Sequence, residues 1–389
     1  MTTVRLKANG HKRVRNGHLW VFRDELAVHD SIDTGELVRV VTDYDYDLGV
    51  GLYHSTSQIA VRLLAAPIFD EVLVEKRLRA ALDMRERLFA PETAYRLVFG
   101  ESDGLPGLII DRYGEYCAMQ FLSAGMDMRR DMIVSAVRRV LPDLRGIIAK
   151  NDSRLRVKEG LPLGTEVLFG DIPPHIDMVE NGIRYAVSLS GGQKTGYFLD
   201  QRVNRRFVGS LAQNLRVMDC FTNQGGFALN AALGGAREVL GVDSSASAIE
   251  ACAHNASLNN LSQCSWHVAD VFDDLKARVA LKESWDMIIL DPPAFTKSKA
   301  QVSQAKRGYA EINRQALKLI TNGGYLVSAS CSHHVDDEVL LQVIMEESRR
   351  VNRRLTLVYR GGQSPCHPVY LPMPETQYLK FFVFRVDAW

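Results

Sequence analysis

The part of the chain after Arg216 alternates short apolar runs with helical stretches, and this alternation limits the fold more than any other feature. Five apolar runs have the length of strands, and between them apolar residues recur with a helical spacing. Strands that alternate with helices form a parallel sheet covered on both faces. The sequence therefore predicts a doubly wound α/β domain. The last apolar run, residues 377–386, is typical of an added antiparallel edge strand.

The N-terminal part has a different pattern. Residues 35–64 carry β-branched side chains at alternate positions, separated by turn residues, and this pattern predicts a small β-rich module. A helical run over residues 73–90 ends before Pro91, and mixed strand and helix patterns continue to about Leu189. We therefore predict three domains: a β-rich domain at 1–72, an α+β middle domain at 73–185 and the α/β domain at 186–389.

Charge is nearly balanced over the whole chain, with 47 Lys and Arg against 46 Asp and Glu, but it is unevenly distributed. Residues 1–23 contain six Arg and Lys and no acidic residue. Lys12, Arg13 and Arg15, with Trp20, suit RNA phosphates and stacked bases. A solvated basic edge of a small domain explains the same charges equally well.

Other patterns exclude some classes of protein. No apolar run approaches the roughly 20 residues of a membrane-spanning helix, and the N-terminus lacks the apolar stretch of a secretory signal. We therefore expect a cytoplasmic protein that has no membrane partner. The six cysteines show no paired spacing, so we expect reduced thiols and no metal site.

The ends of the first three strands of the α/β domain carry acidic and small residues, and open α/β sheets bind ligands at this edge. A carboxylate at Asp243 can accept hydrogen bonds from both hydroxyls of a ribose, and Asp270 with Val271 can bracket an adenine. The glycine-containing turn after Asp219 lets backbone approach a ligand. The predicted cofactor-binding residues are Asp219, Phe221, Asn223, Gly225, Asp243, Ser244, Asp270 and Val271.

The turn after the first strand indicates which nucleotide binds. It lacks the G-x-G-x-x-G pattern that seats a pyrophosphate, and Asp219 would repel phosphates there. A carboxylate at that point suits a cationic ligand without phosphates. S-adenosylmethionine is an adenosine that carries an amino group and a sulfonium, so the sequence predicts it in preference to NAD.

The ends of the fourth and fifth strands carry the candidate catalytic residues. The fourth strand ends at Asp291, and the two prolines that follow fix an extended loop whose carbonyls can bind a planar ring. Cys331 directly follows the fifth strand. Addition of its thiolate to C6 of a pyrimidine would make C5 nucleophilic, and Asp291 can hold or protonate the N3 edge. A purely structural cysteine is the alternative. The predicted substrate-binding residues of this loop are Pro292, Pro293 and Phe295.

These motifs together resemble the PUA-containing class I methyltransferases that make 5-methylcytosine in 23S ribosomal RNA. The resemblance rests on Asp219–Phe227, Asp243, Asp270, Asp291–Phe295 and Ser330–Ser332, and it extends over nearly the whole chain. It implies an N-terminal PUA pseudo-barrel that binds RNA and a C-terminal Rossmann-like domain that binds S-adenosylmethionine.

The resemblance also implies roles for single residues. It places residues 193–202 against the methyl donor, with Lys194, Thr195 and Phe198 as cofactor-binding residues, and Tyr309 on the substrate side. Cys331 takes the place of the nucleophile and Asp291 that of the group at the cytosine edge. The chain departs from the family at Cys366, where the family has an acidic residue before His-Pro. No catalytic role is therefore assigned to Cys366 or His367.

The sequence as a whole predicts an S-adenosylmethionine-dependent RNA (cytosine-C5) methyltransferase that forms a covalent adduct between Cys331 and C6. The expected partner is 23S ribosomal RNA, naked or in an early assembly intermediate, and a homodimer remains open. Two alternatives remain. One is an RNA methyltransferase that acts on an exocyclic amine, guanine N2 or adenine N6, because the Asp-Pro-Pro-aromatic loop also suits that chemistry. The other is a non-catalytic ribosome-assembly factor.

Overall fold

The computed structural model describes the chain except for residues 9, 29–30, 191–194 and 297–300. The chain divides into two compact units. Unit 1 comprises Met1–Met178, Val187–Leu199 and Pro365–Gln377, and unit 2 comprises Val179–Ala186, Asp200–Ser364 and Tyr378–Trp389. The domain boundaries given above stay a prediction.

The strands of the described residues are numbered in chain order: β1 (Thr2–Arg5), β2 (Trp20–Phe22), β3 (Leu37–Val41), β4 (Asp47–Tyr53), β5 (Ile59–Leu63), β6 (Ala94–Phe99), β7 (Leu108–Tyr113), β8 (Tyr116–Phe121), β9 (Gly146–Asn151), β10 (Gly164–Gly170), β11 (Ile176–Glu180), β12 (Ile183–Val187), β13 (Arg216–Cys220), β14 (Glu238–Asp243), β15 (Cys264–Val268), β16 (Trp285–Leu290), β17 (Ile320–Ser330), β18 (Arg353–Gly361) and β19 (Lys380–Ala388). The α-helices follow the same order: α1 (Lys12–Arg15), α2 (Glu71–Phe89), α3 (Ala124–Asp127), α4 (Arg130–Val140), α5 (Leu155–Lys158), α6 (Arg202–Leu211), α7 (Gly226–Leu233), α8 (Ala246–Leu258), α9 (Val271–Ala280), α10 (Val302–Leu319) and α11 (Asp337–Arg350). Within these residues, no helix has both the length and the apolar character needed to cross a membrane.

Unit 1 contains two five-stranded sheets. The N-terminal sheet has the order β1-β3-β4-β5-β2, and its alternate side chains form a core that includes Val21, Val40 and Val61. The second sheet has the order β10-β9-β8-β7-β6 and packs against α2 and α4. The side chain of Asp70 caps α2 by accepting the backbone N–H of Leu73, so the helix begins at residue 71. The helix predicted at residues 73–90 is confirmed.

Unit 2 is built around a seven-stranded sheet with the order β15-β14-β13-β16-β17-β19-β18. The first five strands in this order, β15, β14, β13, β16 and β17, run parallel. The chain proceeds from β13 to β14 and β15 on one side and then continues with β16 and β17 on the other side of β13. The carboxyl ends of these strands form a crevice at this switch point, where open α/β sheets bind ligands. The predicted doubly wound α/β fold is confirmed.

The C-terminal strand lies elsewhere in the sheet than the sequence suggested. β19 pairs antiparallel with β17, as predicted, but β18 pairs along its other side. The prediction of an edge position was therefore wrong. β18 is the edge strand, and all of its residues are exposed or half-buried, although Leu355, Leu357 and Tyr359 alternate in its sequence as apolar residues of a strand do.

Candidate active site

The turn between β13 and α7 has an unusual backbone. Phe221, Asn223 and Gly225 have φ angles of 62°, 51° and 81°, in the left-handed region. Glycine adopts this conformation freely and asparagine tolerates it, whereas Phe221 carries strain of about 1–3 kcal/mol. The turn is fixed by acidic side chains, because Asp243 Oδ2 accepts the backbone N–H of Asn223 at 3.0 Å. Such local strain is typical of a ligand-binding turn.

Asp219 is the penultimate residue of β13, next to this turn, and is 1% exposed. Its Oδ2 accepts hydrogen bonds from Thr222 Oγ1 at 2.6 Å and from the backbone N–H of Ala228 at 3.0 Å. Its Oδ1 accepts none from the residues that the structure describes. Burial raises the pKa of Asp219 to about 7, and the negative charges of Asp291 and Asp243 act in the same direction. A buried carboxylate oxygen without a donor, close to two further carboxylates, fits a cationic ligand group.

The next two strand ends complete the same edge of the sheet. Asp243 is half-buried, and its Oδ1 accepts the backbone N–H of Ser245 at 3.0 Å. Ser244 is exposed. Asp270 is also exposed and caps α9 through Oδ1, whereas Val271 behind it is buried. The predicted nucleoside-binding residues of β13, β14 and β15 thus lie at the carboxyl ends of three adjacent strands.

The loop after β16 begins with Asp291, whose Oδ1 accepts a hydrogen bond from Gln201 Nε2 at 3.0 Å. Pro292 is buried, whereas Pro293 is exposed. The ring of Phe295 packs against α10. A Cβ atom at Gly308 would lie 3.0 Å from that ring, so this close approach favours glycine. Gln201 lies in the segment 193–202 that carries the resemblance, but no local sequence pattern indicates its contact with Asp291.

Cys331 is the first residue after β17 and is partly exposed. The two serines on either side of it bind the same phenol: Tyr309 Oη donates to Ser330 Oγ at 2.8 Å and lies 3.2 Å from Ser332 Oγ. Tyr309 itself is 1% exposed, and burial raises its pKa to about 12. The phenol therefore stays protonated and holds the hydroxyls of the two residues that flank Cys331.

The other cysteines have different surroundings. None of the six forms a disulfide within the described residues. Cys264 is partly exposed, as Cys331 is, and the remaining four are buried. Cys366 Sγ lies 3.2 Å from His367 Nδ1 in unit 1, where both side chains are buried. Across the described residues, no group of His, Cys, Asp and Glu side chains is arranged to hold a metal ion.

The cofactor residues implied by the resemblance belong to unit 1. Thr195 is buried, and its hydroxyl donates to the carboxylate of Asp111, which also forms an ion pair with Arg96 at 2.7 Å. Phe198 is half-buried. Lys194 lies outside the described residues.

The basic N-terminal residues differ in how their side chains are used. Arg13 pairs with Glu25 at 3.0 Å, and Trp20 Nε1 donates to Glu101 at 2.7 Å, so both belong to the internal contacts of unit 1. Lys12 and Arg15 are exposed. Arg15 also donates to the hydroxyl of Tyr44 at 2.9 Å. Among the four predicted RNA-binding residues, these two cations are the most accessible.

Comparison with known proteins agrees with this architecture. The model of a family of S-adenosylmethionine-dependent methyltransferases matches residues 135–385, and that of a PUA-like domain matches residues 4–66. Two solved structures share the fold over 99% of this chain and 100% of their own. One is described as a SAM-dependent methyltransferase from Streptococcus mutans, with a TM-score of 0.85 and 24% identity, and the other as a methyltransferase complexed with SAH, with 0.86 and 23%. The class is therefore a methyltransferase that uses S-adenosylmethionine and carries a PUA-like domain.

Full-length relatives define the group more closely. Ribosomal RNA large subunit methyltransferase I of Tolumonas auensis is 37% identical over 394 residues, which cover 99% of both chains. The protein of the same name from Salmonella newport is 35% identical over 390 residues, which cover 98% of this chain and 96% of the relative. The chain belongs to the S-adenosylmethionine-dependent methyltransferase family and, within it, to the family of these relatives.

The protonation of Asp219 predicts how cofactor binding depends on pH. We expect the affinity for S-adenosylmethionine to rise between about pH 5.5 and 7, where the ligand amino group keeps its charge. Below its pKa of about 7, Asp219 is largely neutral. A cationic ligand favours the carboxylate, so binding releases a proton and affinity changes by up to about tenfold per pH unit.

Isothermal titration calorimetry at several pH values measures this dependence. Asp219→Asn cannot ionise, so its affinity should be lower and nearly independent of pH over the same range. A wild-type affinity that stays constant between about pH 5.5 and 7 would contradict a proton-coupled role for Asp219.

Proposed function

We propose that this protein methylates C5 of a cytosine in 23S ribosomal RNA of the large subunit through a covalent adduct of Cys331. The relatives named above are large-subunit ribosomal RNA methyltransferases, and this supports the choice of RNA. The observation that carries the chemistry is the position of Cys331. It is partly exposed, directly follows β17 and lies at the carboxyl edge of the sheet, where Asp219 is the penultimate residue of β13 and Asp291 directly follows β16.

The proposed reaction has a balanced sequence of steps. The Cys331 thiolate donates its electron pair to C6 of the cytosine, and the electrons of the C5–C6 double bond move toward N3, which takes up a proton. Bound S-adenosylmethionine supplies a methyl group on a positively charged sulfur. C5 would take this methyl group as its bond to sulfur breaks, which leaves S-adenosylhomocysteine, and N3 would give back its proton. The C5 proton then leaves to a base, the C5–C6 double bond forms again and the thiolate departs.

Residues around Cys331 have supporting roles in this proposal. Asp291 holds the N3 edge of the cytosine, and Gln201 orients its carboxylate through the 3.0 Å hydrogen bond. Pro292, Pro293 and Phe295 form the loop against which the base is placed after it leaves the RNA stack. Tyr309 holds the side chains of Ser330 and Ser332, the two neighbours of Cys331.

The PUA-like domain supplies affinity for RNA in this proposal. Its exposed cations attract phosphates, and displaced counterions make such binding sensitive to salt. The RNA is naked or part of an early assembly intermediate, and ribosomal RNA as the substrate implies a cytoplasmic protein. A homodimer is compatible with this reaction but is not required by it.

Replacing both Lys12 and Arg15 with Ala should weaken RNA binding by about tenfold at low salt. The slope of log Kd against log salt concentration should also decrease by about 1–2, because up to two phosphate contacts disappear. Fluorescence anisotropy with a labelled fragment of 23S RNA measures both values over a salt series. Arg87→Ala is the matched control, because Arg87 is an exposed cation on α2, outside the PUA-like match. An equal loss of affinity in Arg87→Ala would contradict a specific contact of Lys12 and Arg15 with the RNA.

A trapped complex tests the covalent step. RNA that contains 5-fluorocytosine has no proton to lose at C5 after methylation, so the thiolate cannot leave. We expect a denaturation-resistant complex whose mass equals protein plus RNA plus one methyl group, less the hydrogen that the thiol loses. Cys264→Ala should form this complex and Cys331→Ala should not. Peptide mass spectrometry should find the RNA attached at Cys331.

The same assay separates the alternatives. An enzyme that methylates an exocyclic amine would give methylated RNA without a trapped complex. A non-catalytic assembly factor would give neither product. Mass-spectrometric mapping of 23S RNA from cells without the protein then identifies the missing methyl group, which should be on C5 of a cytosine.

A further inference from the structure

Lys380 is a buried lysine beside the loop that carries Cys331. It opens β19 and is the cross-strand partner of Ser330, the last residue of β17. Its side chain is 6% exposed, and Nζ donates hydrogen bonds to the backbone carbonyls of Ser332 at 2.6 Å and Tyr378 at 2.7 Å. A lysine is rarely buried to this extent unless polar or charged groups contact it, because burial removes the hydration of its charge.

Lys380 is close to both neighbours of Cys331. Lys380 contacts the carbonyl that follows Cys331, and its backbone pairs with the residue that precedes it. An ammonium in a partly buried position stabilises a nearby negative charge more than it would in water. A thiolate at Cys331 is the negative charge that the proposed reaction requires.

We propose that Lys380 is a positioning residue that fixes the loop after β17 and favours the thiolate form of Cys331. The consequence for methyl transfer rests on the proposed function, whereas the effect on the thiol does not require RNA. Burial lowers the pKa of Lys380 to about 8, and the charges of Cys331, Asp337 and Asp336 act in the opposite direction. The attraction between Lys380 and Cys331 is reciprocal, so it also favours ionisation of the thiol.

Other titratable groups surround the same loop. Tyr309 on α10 stays protonated, and His333 and His334 lie in the loop itself. A second set carries charge from the neighbouring elements: Asp291 after β16, Asp336 and Asp337 at the start of α11, and Arg360 of β18, which pairs with Asp337. The carboxylates repel a thiolate at Cys331, and the positive charge of Lys380 opposes this repulsion. Removal of that charge should therefore make the thiolate less favourable.

The rate of alkylation by iodoacetamide as a function of pH tests this proposal, because only the thiolate reacts and iodide leaves. The readout is mass spectrometry of the peptide that contains Cys331 in the intact protein. Lys380→Gln keeps a hydrogen-bond donor but removes the charge, whereas Lys380→Arg keeps the charge. We expect Lys380→Gln to raise the midpoint of the alkylation profile by about one pH unit and to lower the rate at pH 7 by up to about tenfold. Lys380→Arg should remain close to wild type.

Cys264 is the internal control, because it is the other partly exposed cysteine and its alkylation profile should not change. A lower rate for Lys380→Gln with an unchanged midpoint would reduce Lys380 to a structural role and overturn the proposal. The wild-type protein gives a second test that needs no variant. Its midpoint for Cys331 should lie below the ordinary cysteine pKa of about 8.5, and a midpoint at or above that value would also overturn the proposal.

The role of Lys380 and the proposed covalent mechanism can fail separately. If Cys331→Ala retains methyl transfer while Lys380→Gln still shifts the alkylation profile, the covalent mechanism fails and the assignment of Lys380 stands. If Cys331→Ala is inactive and the profile does not shift, the assignment of Lys380 fails and the covalent mechanism stands.

Discussion

Cys331→Ala is expected to reduce methyl transfer to 23S RNA by about 10³-fold or more, because it removes the nucleophile on which covalent activation depends. The affinity for S-adenosylmethionine should stay within about twofold, since the turn after β13 and the carboxylates near it, not the thiol, are the predicted cofactor-binding groups. Transfer of labelled methyl groups to RNA measures the first effect, and calorimetry measures the second.

Cys264→Ala is the matched control, since Cys264 is also partly exposed but lies on β15. It should retain wild-type methyl transfer. Full activity of Cys331→Ala would contradict the covalent mechanism and favour methylation of an exocyclic amine, which needs no thiol. Loss of both activity and cofactor binding would indicate that the substitution disturbs the fold, and Cys331→Ser would then be the second variant to compare.

The positions of the site residues on the sheet could be predicted because each directly follows an apolar run. Asp219, Asp243, Asp291 and Cys331 lie at or immediately after the ends of β13, β14, β16 and β17. Parallel strands present their carboxyl ends at one edge, so local sequence was sufficient to place these residues together. The roles of these residues stay predictions that the variants above test.

Contacts between distant parts of the chain could not be predicted in the same way. Trp20 appeared suitable for stacking on RNA bases, but its indole N–H binds Glu101, which is 81 positions away. Gln201 reaches Asp291 over 90 positions, and Lys380 reaches Ser332 over 48. Local periodicity carries no information about such pairs. The lysine at the start of the apolar strand β19 is a sequence sign of a buried charge, but the sequence alone does not show what compensates it.

The position of β19 shows a related limit. Its alternating apolar residues indicated an antiparallel strand but not how many neighbours it has. Every residue from Lys380 to Phe384 is buried, which is typical of an interior strand. β18 covers it and is itself largely exposed. The apolar run Leu355–Tyr359 of β18 is typical of a strand, but local sequence does not show which strand it pairs with.

Asp243→Ala should weaken binding of S-adenosylmethionine by about 100-fold. In our proposal the carboxylate accepts hydrogen bonds from both ribose hydroxyls, and two bonds to a charged group contribute about 3 kcal/mol or more. Asp243 also accepts the backbone N–H groups of Asn223 and Ser245, so its loss loosens the turn after β13. Calorimetry measures the dissociation constant, and Glu250→Ala is the control, because Glu250 is an exposed carboxylate on α8.

Asp243→Asn distinguishes the two contributions. The amide keeps one acceptor oxygen and replaces the other with a donor, so it can hold either the turn or one ribose hydroxyl, and its affinity should lie between those of Asp243→Ala and wild type. If Asp243→Ala binds within about threefold of wild type, the ribose is held elsewhere and the assignment of Asp243 is wrong. If the wild-type protein gives no binding heat at high concentration, the assembly-factor alternative is favoured. Strong binding by Glu250→Ala with weak binding by Asp243→Ala would instead place the nucleoside at the carboxyl end of β14.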